Sequence, residues 1–382
     1  MEQKNKAEDY QIVDTGKQQR DSRDLWKMCF GDTEEFMDNY FSWRLKENQI
    51  LCLYNDEIMT SMIHLNPYSL IFSGQEIQAD YIVGVATRPE YRKQGLMRNL
   101  LTAALNTMYG KGHGFTFLMP ASDKIYLPFD FRYIYKQRRR RIQIKADDLP
   151  AWVKEREKEE IQAAAINNKS DSPIYEEKTE NIRVKELDSS DLKELHHLIS
   201  FVNKILALNE EVYTKRDAYY YKRLQADMKS AGGNVLLFYD DGEVIGCTSY
   251  MLEENRGEIT ESIIKKEYTQ EIIRSIGKVI NTRWNDPKSS YTGNDQRTDL
   301  EITFLESEFM EDAVLEDAGF LEQKKPIIMG RIVNLFEFMK NLTAREALSI
   351  TLKVLDPIIE ENHGVWEFHF SKKTDDRYFC DR

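Results

Sequence analysis

The stretch YIVGVATRPEYRKQGLMRNLL, Tyr81 to Leu101, runs an apolar strand into a proline, a basic cluster, a single glycine and the start of a helix. The chemistry such a run can support is anion binding. The first turn of a helix leaves backbone N–H groups without partners and carries partial positive charge, and both suit a phosphate. Gly95 has no Cβ to hold phosphate oxygens away from the backbone, and Arg92, Lys93 and Arg98 add charge around it. Taken alone, the run admits two readings, a solvated basic helix start or a turn that grips a pyrophosphate.

The elements that must position this turn are legible around it. ADYIVGVAT (Ala79 to Thr87) is apolar and β-branched enough for a central strand. Pro89 cannot donate a ladder hydrogen bond, so pairing should stop near it. From Leu96 the apolar residues Met97, Leu100, Leu101, Ala104, Leu105 and Met108 keep helical spacing until Gly110 ends the run, and GFTFLMP (Gly114 to Pro120) reads as a further strand. Upstream, RDSRDLWKMCF and TEEFMDNYFSWRL have helical patterns. The second is predicted to expose an acidic face with Phe36, Tyr40 and Phe41 inward. ILCLYNDEIMTSMIHL (Ile50 to Leu65) and VLLFYDDGEVIGCTSYML (Val235 to Leu252) are each two β-rich runs around an acidic turn, with Asp241-Gly242 as a hairpin signal, which makes a faint internal repeat. Between the halves, AWVKEREKEEIQAAAINNKSDSPIYEEKTEN reads as a helix leading into a mobile linker. Near the end, ALSITLKVLDP and GVWEFHF alternate as half-buried strands with a turn at Asn362-x-Gly364.

Composition bounds the function classes. The 382 residues, 41% hydrophobic and 31% charged, suffice for two or three domains of a soluble globular protein. No apolar run approaches the roughly 18 residues of a membrane span, and MEQKNKAEDY has no signal-peptide core. The expectation is a cytoplasmic protein with no membrane partner. A net charge of −12 disfavours nucleic acid and favours a cationic ligand. KQRRRRIQIK (Lys136 to Lys145) is accordingly expected to be an exposed strand leaving the domain. Cys29, Cys52, Cys247 and Cys380 are too scattered for a disulfide framework or a metal site, and no metal is expected.

Strand, proline, Arg92-x-x-Gly95 and helix, after one hairpin and before another strand, resemble the coenzyme A-binding core of the GNAT superfamily of N-acetyltransferases. LWKMCFGDTEEFMDNYFSWRL, MIHLNPYSL, YIVGVATRPEYRKQGLMRNLL and FLMPASDKIYLPFDFRY look like successive blocks of one branch, the Eis (enhanced intracellular survival) family. The likeness runs through residues 24–135 and returns at IIMGRIVNLFEFMKNL. It implies a mixed α/β (α+β) architecture of tandem GNAT-like domains, the catalytic one over 1–146 and a degenerate one with its linker over 147–325. A sterol-carrier-protein-like α/β domain would follow over 326–382, and the assembly would be a homo-oligomer, a hexamer by analogy. No Arg-x-x-Gly follows the second hairpin, so the second domain should not bind coenzyme A.

The resemblance also assigns roles. Val83, Val85, Ala86 and Thr87 would offer strand backbone to the pantetheine arm of acetyl-CoA, the cosubstrate. With Arg92, the residues Lys93, Gln94, Gly95, Leu96, Met97 and Arg98 would form the phosphate cradle, Met97 standing where a small residue is usual. Ala121 and Ser122 would be further cofactor contacts, Ser122 as a helix N-cap. Tyr126, one of 20 tyrosines, would be the acid that meets the departing thiolate. Phe129-Asp130-Phe131 replaces the family's Phe-Gly-aromatic turn, which Asp enters by accepting a left-handed conformation. The family's base is the chain's terminal carboxylate. Here the chain ends at Arg382 soon after VWEFHF, and the third domain is expected to be incomplete; His64 is a substitute base, although a strand histidine is more often packed and hydrogen-bonded. If Asp32, Glu34 or Glu35 faces the acceptor, it would favour a cationic amine such as an aminoglycoside, a polyamine or a lysine side chain. The implied function is acetyl-CoA-dependent N-acetyl transfer to a small-molecule or peptidyl amine. The alternative is a non-catalytic acyl-CoA-binding or scaffold protein.

Overall fold

The computed structural model describes residues 10–144, 182–253, 256–284, 300–305, 308–374 and 377–381. The linker expected after Ala151 and the terminal Arg382 lie outside them. The chain forms two compact units, one of Met1–Lys136, Asn209–Lys215 and Pro326–Arg382, the other of Gln137–Leu208 and Arg216–Lys325.

The chain begins with β1 (Gln11–Ile12) and α1 (Gly16–Phe30), which starts on a Thr15/Gln18 capping box and stops at left-handed Gly31. Thr33 caps α2 (Glu34–Arg44). Its buried seam is Met37, Phe41 and Arg44, at helical spacing; Phe36 falls one position off the seam and is 43% exposed, so it does not point inward as expected. Next come β2 (Gln49–Asn55), β3 (Ile58–Phe72) and β4 (Gln75–Thr87), joined by turns at Asp56 and at Ser73-Gly74, all of which adopt positive φ. Pairing does stop before Pro89, which opens one 3-10 turn, Pro89–Tyr91. The helix α3 (Leu96–Gly110) follows and buries Leu100, Leu101, Ala103, Ala104, Leu105 and Met108. The left-handed glycine that closes it is Gly112, not Gly110. Then come β5 (Phe115–Leu118), α4 (Asp123–Tyr126), a 3-10 turn Leu127–Phe129 and β6 (Arg132–Ile144). Asp130 takes the expected left-handed conformation, with φ 61°.

The later elements are β7 (Arg183–Glu186), α5 (Leu192–Asn209), β8 (Val212–Thr214), α6 (Ala218–Ser230), β9 (Asn234–Asp240), β10 (Glu243–Glu253), β11 (Arg256–Ile264), α7 (Thr269–Trp284), β12 (Leu300–Leu305) and α8 (Asp312–Asp317). They are followed by β13 (Leu321–Ile332), α9 (Leu335–Met339), β14 (Thr343–Ala344), β15 (Leu348–Val354), β16 (Gly364–Thr374) and β17 (Arg377–Asp381). The first unit's sheet runs β1-β2-β3-β4-β5-β13, with β8 added along the outer half of β3. The second unit's runs β7-β9-β10-β11-β12-β6. Both are antiparallel except for one parallel pair, β4 with β5 and β11 with β12, each bridged by a helix. The faint hairpin repeat is therefore part of one strand order used twice.

In the first unit, Leu51, Ile63, Leu65 and Ile82 face α3, while Ile50, Cys52, Met62 and Ala86 face α1 and α2. This alternation covers both sides of the sheet. A smaller sheet, β14-β17-β16-β15, packs Phe368 and Phe370 on Leu335 and Met339 of α9. In the second unit, Ile259, Ile272, Ile276, Ile280, Leu300 and Phe304 centre the core. The basic run on β6 departs from expectation. Arg140 is only 1% exposed and meets Asp312, Glu316 and Glu322, while Arg138 pairs with Asp312 and Glu322 and Arg141 with Glu301. Acids far along the chain neutralise the cations, which proximity in sequence could not reveal. Among the described residues no helix is long and apolar enough to cross a membrane, and no group of three or more His, Cys, Asp or Glu could hold a metal. Cys29, Cys52 and Cys247 are free thiols.

Candidate active site

The site starts from a defect in β4. Met62 pairs with Ala86 and His64 with Val83, so Gly84 and Val85 together oppose the single residue Ile63. This is a β-bulge, and Gly84 supplies its left-handed φ of 59°. No side chain would fit there, because a Cβ on Gly84 would lie 2.5 Å from the Trp26 ring. A bulge bends its strand, and β4 leaves β5 at the same place: the pairs are Tyr81 with Phe117 and Ile82 with Leu118, and β5 then ends. Among the described residues no strand pairs with Val83 to Thr87 on that side. Their β3 side is held firmly, with the Ser61 hydroxyl 2.8 Å from the Ala86 carbonyl and 2.9 Å from Thr87 Oγ1.

The strand end leads directly to the basic turn. Arg92 Nε donates to the Thr87 carbonyl at 3.1 Å. Lys93 (φ 62°) and Gly95 (φ 83°) are both left-handed, a backbone form that turns successive N–H groups toward one point. Gly95 is the N-cap of α3 and no side chain caps the helix. A Cβ placed on Gly95 would meet nothing within 4 Å, so there is open space above the bare amides. That space belongs to a cavity of about 340 Å³. Of the predicted residues, Thr87, Arg92, Lys93, Gly95, Leu96, Met97 and Arg98 line it, whereas Gln94, Val83, Val85, Ala86 and the expected acid Tyr126 do not. Ala121 and Ser122 are exposed at the start of α4, outside the cavity, and the Ser122 side chain makes no cap bond.

The far wall was missed in the sequence. It consists of Ile125, Pro128 and Phe129, from α4 and the turn after it, and Tyr91 closes one side. The Arg98 guanidinium sits 4.9 Å from the centre of the Phe129 ring, a cation–π contact between two residues that line the cavity. The signal for Phe129 was present in Phe129-Asp130-Phe131, read only as a turn.

Tyr126 ends α4 with its ring edge-on to Phe131 at 5.9 Å. It is 7% exposed, and none of the described residues hydrogen-bonds its hydroxyl. Burial pushes the phenol up to about 12, so it is protonated at neutral pH. It is also near enough to help raise the neighbouring Tyr81 phenol, whose shift burial dominates. Such a group can donate a hydrogen bond to an anion that forms beside it.

His64 is fully buried, between the Ser22 hydroxyl at Nε2 and the Tyr40 hydroxyl at Nδ1, each at 3.1 Å. Burial drives its imidazolium down to about 3. With both nitrogens engaged and no solvent path, it is a packed histidine and unsuited to take a proton from an amine. Two of the three acidic candidates are also committed. Asp32 accepts the Trp26 indole N–H at 2.7 Å, and Glu34 pairs with Arg23 and Lys27. Glu35 is exposed.

In the second unit the corresponding helix start is built differently. After β11 the chain enters α7 at Thr269, with no glycine turn, and Thr269 is 1% exposed with its hydroxyl accepting the Glu311 N–H at 2.9 Å.

Residues 15–134 match the family model of the Acetyltransferase (GNAT) domain. The region contains the bulged β4, the basic turn, α3 and Tyr126, and through it the protein is an acetyltransferase. No curated protein matches the chain. Among solved structures, it is similar to a protein of unknown function and probable N-acyltransferase from Enterococcus faecalis V583, at 17% identity over 97% of this chain and 84% of that one, with a TM-score of 0.69. A GCN5-related N-acetyltransferase from Anabaena variabilis ATCC 29413 shows 12% identity, 98% and 85% coverage, and a TM-score of 0.66. Eis1 from Mycobacterium abscessus shows 10%, 98%, 85% and 0.58. At these identities the likeness is one of fold.

Proposed function

We propose that this acetyltransferase moves an acetyl group from acetyl-CoA to a primary amine on a cationic acceptor. The observation that carries the reading is the open cavity over the uncapped N-terminus of α3, reached from the unpaired edge of β4. The diphosphate would take the amides after Gly95 and the charges of Lys93 and Arg98, and the pantetheine amides would pair with Val83 to Thr87 as an added strand.

The reaction is direct attack. The neutral amine nitrogen forms a bond to the thioester carbonyl carbon, the C–S bond breaks with its electron pair on sulfur, and the ammonium proton passes to solvent. Tyr126 donates its hydroxyl to the thiolate. A thiol has an ordinary pKa of about 8.5 and the phenol stands near 12, so full transfer of the Tyr126 proton is uphill; its main contribution is a hydrogen bond that grows as charge reaches sulfur. The sequence blocks from Leu25 to Tyr133 that resemble the Eis family are the ground for reading the chain as a member of that branch, with the second unit as scaffold, the small C-terminal sheet as part of a sterol-carrier-like domain, and a cytoplasmic homo-oligomer as the working form.

The test is calorimetry with acetyl-CoA beside a thiol-release assay on an amine panel of aminoglycosides, polyamines and lysine peptides. Micromolar binding with release of free coenzyme A is the expected result. Binding without turnover on any amine would favour the acyl-CoA-binding scaffold instead. Absence of binding would refute both.

A further inference from the structure

Phe129 does two things at the cavity: its ring supports Arg98, and its backbone begins the turn that returns to Phe131 beside Tyr126. Its carbonyl is not paired within that turn. The bonds there are Asp130 N–H to the Leu127 carbonyl and Phe131 N–H to the Tyr126 carbonyl. A buried carbonyl needs a donor. The donor comes from far along the chain, where Arg331 Nη1 meets the Phe129 carbonyl at 2.6 Å.

The same guanidinium is clamped from its other side. Arg331 Nη2 lies 2.7 and 2.8 Å from the two oxygens of Asp356. Asp356 also accepts the Ile358 and Ile359 amides, each at 2.9 Å, and Asn362 Nδ2 at 3.0 Å. Asn362 in turn bonds the Val333 carbonyl and the Leu335 amide. The Arg331 side chain is 3% exposed and that of Asp356 9%. A buried ion pair repays little of its desolvation in stability, and an apolar pair of similar volume would serve folding about as well. What an apolar pair could not do is fix one carbonyl in place. The planar fork reaches a carboxylate and a carbonyl with separate nitrogens in fixed directions, whereas an ammonium donates from a single atom.

We propose that Arg331 and Asp356 are positioning residues for the acyl-transfer site, a strut from the C-terminal segment that holds the Phe129 carbonyl and, through it, the Arg98 platform and the Tyr126 turn. The role in binding rests on the acetyl-CoA reading above; the strut itself does not. The strut makes affinity for the diphosphate depend on residues more than two hundred positions away from the turn that grips it.

Arg331→Lys keeps the charge beside Asp356 but gives up the second reach, and Asp356→Asn keeps the shape but loosens the fork. Should the lysine variant fold poorly, the asparagine variant carries the test. Amide hydrogen exchange in ligand-free protein should rise selectively over residues 126–131, and the Kd for acetyl-CoA should rise about tenfold, as expected for a sub-ångström misplacement. Guanidinium ion at tens of millimolar should partly restore affinity in Arg331→Ala. Unchanged exchange over 126–131 overturns the strut whatever the ligand. Raised exchange with unchanged Kd overturns the positioning role. Wild-type protein that binds no acetyl-CoA overturns the enzymatic reading, while selective exchange would still uphold the coupling of Arg331 to the turn.

Discussion

Replacing Gly95 with alanine separates the two roles the residue plays. In the free protein the new methyl meets nothing within 4 Å, so its only penalty is conformational, an L-residue held at φ 83°. That costs about 1–2 kcal/mol and is offset by roughly 0.4–1 kcal/mol from a less flexible unfolded chain, which leaves a loss of about 1 kcal/mol. For a unit of this size, a fall of about 2–4 °C in Tm follows. Binding should suffer more. The methyl would fill the space through which phosphate oxygens reach the first amides of α3, and each charge-assisted hydrogen bond lost is worth about 1.5–3 kcal/mol. The Kd for acetyl-CoA should therefore rise about ten- to a hundred-fold, one decade for each 1.4 kcal/mol. Calorimetry with acetyl-CoA and with an S-acetyl-pantetheine that lacks the diphosphate reads the difference. The variant and the wild type should bind the short thioester alike and differ only for the nucleotide. An equal loss for both ligands, or no loss for either, would refute the reasoning that places the diphosphate at this turn.

Tyr126→Phe should lower kcat by about two orders of magnitude or more, with the Kd for acetyl-CoA and the Tm nearly unchanged, because among the described residues the hydroxyl it removes leaves no partner stranded. Since burial holds this phenol near 12, any alkaline limb of the rate below pH 10 must come from the acceptor amine or another group, and should persist in the variant. His64 should contribute to acid lability. Its folded value is depressed to about 3 from an ordinary 6.5, so the unfolded chain takes up the proton first, and stability present above pH 6.5 is lost as pH falls toward 3. Between pH 6.5 and 5 the loss is about 1.6 kcal/mol, and urea titrations of His64→Gln across that window should lack it. Gly84→Ala combines a left-handed backbone with a clash against Trp26, itself 4% exposed, and should destabilise by about 3 kcal/mol; a melting curve matching the wild type would mean that the bulge can relax.

Whatever depends on neighbouring residues was legible in the chain. The hairpin at Asp241-Gly242, the end of pairing before Pro89 and the helix from Leu96 all follow from backbone chemistry confined to a few residues, while the left-handed turn at Asp130 was reached through the family resemblance. Helical spacing alone was less secure, as Phe36 shows: an aromatic one position from the seam reads as core and lies outside it. The acids that neutralise Arg138 and Arg140 lie some 170 residues or more from them, so that basic run could not be told from a solvated one.

The amino-acid order by itself determined the basic glycine turn at the start of α3, because a glycine, its flanking cations and a helix start are local and need no partner to exist. Only the tertiary structure decided that the turn faces a cavity, since that required β5 to end as the Gly84 bulge bends β4 away, Phe129 to come under Arg98, and Arg331 to hold the Phe129 carbonyl. It also decided that β13 closes the first unit's sheet and β6 the second's. Each of these is a choice among edges and faces that many strands could satisfy, and it is settled by which pairing buries the most apolar surface while leaving the fewest polar groups unpaired.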